Sequence, residues 1–233
     1  MAVLSDRDIK SRLISAANLD LPNDWRDRVS QKRPPQELVE ALRNKKVLID
    51  PFPDLSRAMG SSTLDLQLGY EFRMVRMPLE ITSNSHETTI HKYIAKLDGE
   101  RVKLLENDRV VSSPGGGAFM SFHLKDGEAF LFPTNHLIIP FTFEWVGIPT
   151  DLQAQLQGRS RYARLGIVNN FAPRIDAGFI GPIATEIKNE GPNDFLLRPL
   201  MYIASLQFEE LSSPVDTPYW DYHDARFLGQ GQH

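Results

Sequence analysis

From residue 47 onward the chain is a succession of short apolar runs closed by turn signals. Val47-Leu48-Ile49, Leu64 to Leu68, Ala129 to Phe132, Leu137 to Phe143, Gly166 to Val168, Ile183 to Ile187 and Met201 to Phe208 are the clearest of them. Several alternate apolar with polar residues, as in Leu64-Asp65-Leu66-Gln67-Leu68 and Ser205-Leu206-Gln207-Phe208. That period of two belongs to a strand with one buried face. Asp126-Gly127, Pro133-Thr134-Asn135 and Asn189-Glu190-Gly191-Pro192 punctuate the runs. Many short strands at this spacing predict a mainly β fold: a sandwich, a jelly roll or a closed barrel. At 233 residues there is room for one large domain, or one with an appendage. No repeat of about 20 to 50 residues marks a solenoid or propeller.

The first 46 residues read differently. Ser5-Asp6-Arg7-Asp8 has the form of a capping box, with Ser5 as N-cap and Asp8 answering three residues on. Ile9, Leu13 and Ala17 then fall on one helical face. A polar stretch follows as far as Pro34-Pro35, which can open a second helix striped by Leu38, Val39 and Leu42. Lys45-Lys46 suit its negative C-terminal end. Residues 82–120 read as a long excursion ending in a flexible Ser112-Ser113-Pro114-Gly115-Gly116-Gly117 loop.

Composition removes several function classes. There is no cysteine, which excludes disulfides, thiolate zinc, iron–sulfur clusters and cysteine nucleophiles. The net charge is −4, which argues against a protein built around wide nucleic-acid contact. No apolar run reaches the roughly 18 to 20 residues of a membrane span, and the first residues lack the basic and apolar regions of a signal peptide. The expectation is a soluble cytoplasmic protein. Six histidines, at 86, 91, 123, 136, 223 and 233, are scattered without metal-ligand spacing. The zinc-deaminase signature, the Walker loop and the Gly-x-Ser-x-Gly elbow are all missing.

Four segments carry candidate chemistry, each with a plainer reading beside it. Gly158 to Gly166 packs Arg159, Arg161 and Arg164 around Ser160, a donor set suited to a polyphosphate or to a basic solvated turn. In Arg174-Ile175-Asp176-Ala177-Gly178-Phe179, Asp176 and Phe179 flank a glycine turn. A carboxylate beside a ring suits a sugar, and equally a β-turn with Phe179 in the core. Glu186 shares one strand face with Ala184, opposite Ile183, Thr185 and Ile187. It is a candidate general base, or an ordinary solvent-facing carboxylate. The segment from Pro218, with Tyr219, Trp220, Tyr222, Arg226, Phe227 and Gln230, is either a frayed terminus or a lid.

In this order, the segments resemble the dCTP deaminase family, within the trimeric dUTPase-like superfamily. Leu4 to Ile9 is similar to the family's opening helix, and Leu48 to Phe52 with Gly60 to Gly69 to its first strand pair. Phe130 to Pro133 and Ile148 to Leu152 match the approach to the central motif. Gly158-Arg159-Ser160, Ala163 to Gly166, Arg174 to Phe179 and Glu186 are the strongest matches. The resemblance implies a distorted β-barrel or jelly roll over residues 47–217. An N-terminal helical segment, 1–46, would pack on it, with a C-terminal lid over 218–233. It also implies a homotrimer with shared sites and hydrolytic conversion of dCTP to dUTP, with no metal at the base and Mg²⁺ entering only with the triphosphate. Glu186 would be the general base and acid. Ser160 and Arg164 would hold the attacking water and the carboxylate's charge, and Ala172 would offer its carbonyl to that water. Arg159, Ser160 and Arg161 would touch phosphates, and Asp176 and Phe179 the deoxyribose. Tyr219, Arg226 and Gln230 would close over base and triphosphate.

The chain departs from the family pattern in places. Between Arg164 and Asp176 it is one residue short, and Asn169-Asn170-Phe171 with Pro173 replaces the usual small and hydroxylated residues of the base pocket. Arg161 stands where a second serine is common, and residues 18–40 and 82–120 read as insertions. Two other functions therefore stay open. One is a dUTPase-type pyrophosphatase, alone or combined with deamination, in which Asp176 activates water beside Mg²⁺. The other is a non-catalytic nucleotide sensor or interaction protein using the same pocket.

Overall fold

The computed structural model describes residues 2–75, 94–98, 101–104, 119–169, 172 and 174–230. The helices are short: α1 (Asp6–Arg12), α2 (Trp25–Ser30), α3 (Gln36–Arg43), α4 (Leu55–Ala58) and α5 (Ser160–Ala163). The strands are β1 (Leu13–Ile14), β2 (Val47–Asp50), β3 (Leu64–Val75), β4 (Ile94–Asp98), β5 (Arg101–Leu104), β6 (Phe119–His123), β7 (Glu128–Phe132), β8 (Leu137–Gly147), β9 (Leu152–Gly158), β10 (Ile167–Asn169), β11 (Arg174–Ile175), β12 (Ile180–Ala184), β13 (Ile187–Asn189), β14 (Phe195–Leu197) and β15 (Tyr202–Glu210).

The expected capping box forms. Ser5 Oγ accepts from the Asp8 amide and the Asp8 carboxylate accepts from the Ser5 amide, both at 3.3 Å. The helix it starts is shorter than expected. It stops at Arg12, and Leu13 and Ile14 pair in parallel with Val47 and Leu48. So short a helix has little cooperative stability of its own, and the two residues gain a sheet ladder instead of another turn. α3 opens after Pro35 as expected and buries Leu38 and Leu42. The polar stretch before it holds an unexpected helix, α2, whose Trp25 and Val29 are buried one turn apart.

Eleven strands form one branched sheet along the path β1-β2-β8-β3-β15-β9-β11, with β12 and β13 also on β8, β10 on β13, and β6 on β3. A four-stranded sheet runs β14-β7-β4-β5. The mainly β expectation is met. The pairing does not close into a single ring among the described residues, and the two sheets share a core as in a jelly roll. Leu66, Leu68, Phe72, Phe130, Phe132 and Phe208 sit in that core, with at most 2% exposure. Most of the expected 82–120 excursion, including 112–117, lies outside the described residues; within it, β4 and β5 pair antiparallel.

β8 organises the rest. Its C-terminal half lies between β2 and β12, and its N-terminal half between β3 and β13. A second apolar cluster joins Trp25, Val29, Leu38 and Leu42 of the helices to Leu48, Trp145 and Ile180 of the sheet. Trp220, Ala225 and Leu228 belong to the same cluster, so the segment after Pro218 packs against the N-terminal helices.

Candidate active site

The run Ile183 to Ile187, expected as one strand, is two. β12 stops at Ala184, β13 begins at Ile187, and Thr185-Glu186 link them. The alternation survives the break. Ile183, Thr185 and Ile187 are buried, while Ala184 and Glu186 are partly exposed. Thr185 is fixed by one acceptor: its amide and hydroxyl both donate to the Pro140 carbonyl, at 2.9 and 3.1 Å. Ala184 and Glu186 open into a cleft of about 230 Å³, which Ala172, Asp176, Phe179, Tyr219 and Gln230 also line.

The turn Asp176-Ala177-Gly178-Phe179 forms one wall. The Phe179 amide donates to the Asp176 carbonyl at 3.1 Å, and Gly178 has φ +85, the conformation a type II turn requires at its third position. Phe179 is 7% exposed, with its ring centroid 6.1 Å from that of Tyr219. Asp176 is 3.0 Å from Arg174 Nε in an ion pair open to solvent, worth little to stability. The Tyr219 amide donates to the Ala177 carbonyl at 2.8 Å, and the Gly229 amide to the Ile180 carbonyl at 2.9 Å. Gly229, at φ +58, lies against Ser30, whose hydroxyl donates to its carbonyl at 3.1 Å. Burial pushes the Tyr219 phenol above its ordinary pKa, and its oxygen accepts from the Phe227 amide at 3.3 Å.

The arginine-rich segment lies elsewhere. Gly60, Thr63, Asp65, Gly158, Ser205 and α5 with its flanks form an open groove. Arg159 is held there: its guanidinium is 3.0 Å from Asp65, donates to the Tyr202 carbonyl at 3.3 Å, and lies 5.6 Å from the centre of the Tyr202 ring. Ser160, Arg161 and Arg164 are exposed, and neither Arg161 nor Arg164 has an ion-pair partner among the described residues. Groove and cleft share no lining residue. The groove opens beyond Gly158 at the far end of β9, while Asp176 follows Ile175, which pairs with Ala154 near its start. At about 3.3 Å per residue that separates them by on the order of 15 Å of strand.

The structure thus divides the sequence candidates. Glu186, Ala172, Asp176, Phe179, Tyr219 and Gln230 meet in the cleft, and Arg159, Ser160, Arg161 and Arg164 in the groove. Arg226 lines neither; it is exposed and paired with Asp224 at 2.7 Å. Phe227, which the sequence placed in the candidate lid segment without a role of its own, lines the cleft and is 58% exposed. Asp65 was missed as the anchor of Arg159, although the Leu64-Asp65-Leu66 alternation turns it outward. Asn170, Phe171 and Pro173 lie outside the described residues.

The family model described as dCTP deaminase-like matches residues 33–211. The chain belongs to the dCTP deaminase-like family. Two relatives named dCTP deaminase bear this out. That of Alteromonas mediterranea is 34% identical over 197 residues, covering 84% of this chain and 90% of its own length. That of Aeromonas salmonicida is 37% identical over 191 residues, covering 81% and 89%. A crystal structure of 2'-deoxycytidine 5'-triphosphate deaminase from Agrobacterium tumefaciens shares the fold, with a TM-score of 0.52 at 16% identity over 90% of this chain. The chain spans about half of that longer chain, 48%. In this dCTP deaminase-like chain no three His, Cys, Asp or Glu side chains among the described residues converge on a metal-sized site. No described helix is long and apolar enough to cross a membrane.

Proposed function

We propose that the protein hydrolyses dCTP to dUTP and ammonia. The observation that carries this is the placement of Glu186 and Ala172 in one cleft with the Asp176–Phe179 turn. A carboxylate residue, Ala172 and an aromatic wall line it together. In this reading Glu186 takes a proton from water as its oxygen adds to C4 of the base, and passes that proton to N3. The proton left on the C4 hydroxyl then passes through Glu186 to the amine, the C4–N4 bond breaks, the oxygen stays on C4 as a carbonyl, and ammonia leaves. Ala172 orients the water through its carbonyl. Phe179 packs on the deoxyribose, and Asp176 accepts from its hydroxyl.

Arg159, Ser160 and Arg161 serve the phosphates, and Ser160 and Arg164 the water and the Glu186 charge. Both jobs cannot be done in one protomer if groove and cleft stay separate, which supports an oligomer in which one subunit's groove completes its neighbour's cleft; the family resemblance implies that this oligomer is a homotrimer. Mg²⁺ would arrive on the triphosphate, and when bound it would neutralise phosphate charge. Tyr219, Gln230 and Arg226 belong to a lid; Arg226 would have to leave Asp224 to reach the phosphates. The proposal places the reaction in the cytoplasm, with no nucleic acid or membrane partner.

The test is product analysis. The protein is incubated with Mg²⁺ and each deoxynucleoside triphosphate separately, and the products and ammonia are measured. Conversion of dCTP to dUTP with equimolar ammonia is expected. Release of pyrophosphate without ammonia, or turnover of a purine nucleotide alone, overturns the assignment.

A further inference from the structure

β12 and β8 are out of step next to Glu186. Pro182 pairs with Trp145 and Ala184 with Phe141, so one residue of β12 stands opposite three of β8, Thr142 to Glu144. A bulge of this size leaves polar backbone groups without ladder partners. One side chain joins its two sides. Thr142 is 3% exposed; its hydroxyl accepts from the Ile183 amide at 2.8 Å and donates to the Glu144 carbonyl at 2.8 Å. On the opposite side of β8 the Glu144 carboxylate accepts from the Gln67 amide at 2.9 Å. Valine has nearly the shape of threonine but can make neither of the two hydroxyl bonds.

The slip across the bulge is two residues. It therefore keeps the in-and-out alternation, and moves position along the strand only. Without it, Glu186 would stand about 7 Å further along β8, at about 3.3 Å per residue. Thr185 then holds the displaced register at Pro140.

We propose that Thr142 is a positioning residue for the reaction: its hydroxyl sets the β8 bulge that delivers Glu186 to the cleft. This rests on the reading of Glu186 as the proton acceptor.

The experiment compares Thr142→Val, Thr142→Ser and Glu186→Gln in the full-length chain, following ammonia release from dCTP and thermal unfolding. Thr142→Val is expected to lower kcat at least tenfold with KM for dCTP within about threefold, and Thr142→Ser to restore kcat to within about threefold of the parent. A valine variant with parental kcat overturns the inference, as does a serine variant no better than valine. So does a loss confined to KM or to thermal stability, which is what packing alone would give. Should the valine variant not fold, Thr142→Cys takes its place, and equal kcat for cysteine and serine overturns the inference. If Glu186→Gln keeps full turnover, the general-base reading fails and this inference with it. If Glu186→Gln is inactive while Thr142→Val is unaffected, only this inference falls.

Discussion

Gly178 passes under Tyr219 so closely that a methyl group on its Cα would lie 2.5 Å from the Tyr219 amide nitrogen. The turn and the tail of the cleft are thus held together by the absence of a side chain. Gly178 also has φ +85, which other residues adopt at a cost. Gly178→Ala should push the tail off Ala177. The expected result is a rise in KM for dCTP of tenfold or more, with the trimer or other native assembly state unchanged by light scattering. An unchanged KM would show that the tail does not contribute to nucleotide binding.

Trp220 anchors the same tail from the other side. It is 6% exposed and packs with Trp25 and Trp145, whose own rings meet edge-on at 5.0 Å. Trp220→Ala should cost about 3–5 kcal/mol and lower the melting temperature by roughly 10 °C for a chain of this size. A shift of less than about 3 °C would mean that the tail packs only loosely on the helices.

Glu144 is the most perturbed carboxylate described. It is 1% exposed, one oxygen lacks a partner, and burial pushes its pKa up to about 7 from an ordinary 4.5. Below about 4.5 the group is protonated in both the folded and the unfolded chain, and its contribution to stability is fully present. Between about 4.5 and 7 the folded chain keeps a proton that the unfolded chain has lost, so stability falls as pH rises. The loss is on the order of 3 kcal/mol by pH 8. Glu144→Gln keeps an acceptor for Gln67 and should remove that slope in urea melts at pH 5 and pH 8. A slope unchanged in the variant would assign it to other groups.

Asp176→Asn separates the two chemistries that the sequence leaves open. Asp176 is partly exposed and already engaged with Arg174, a poor setting for activating water. The variant should raise KM for dCTP while ammonia release persists at saturating nucleotide. Loss of pyrophosphate release with deamination intact would establish a second, dUTPase-type activity.

Local signals were legible and distant ones were not. The Ser5–Asp8 box lies within four residues and formed as read. The α2 helix was invisible because its apolar face is only Trp25 and Val29, and its partners are Trp145 and Trp220. The motif residues of the site could be named from their order along the chain. Their division between cleft and groove could not, because it depends on which end of β9 each one reaches. The register slip before Glu186 was hidden for a similar reason: it sets one residue of β12 against three of β8, some forty positions earlier.

Ser30 and Gly229 are separated by 199 positions, and this bears on how the chain is made. During vectorial synthesis α2 emerges long before the segment that covers it. Trp25 can meet Trp145 part-way through synthesis, but Trp220 and Leu228, which complete the cluster, follow only after nearly two hundred further residues. Chaperone capture of the nascent chain should therefore centre on residues 25–42, and should end once residues 220–229 clear the ribosome.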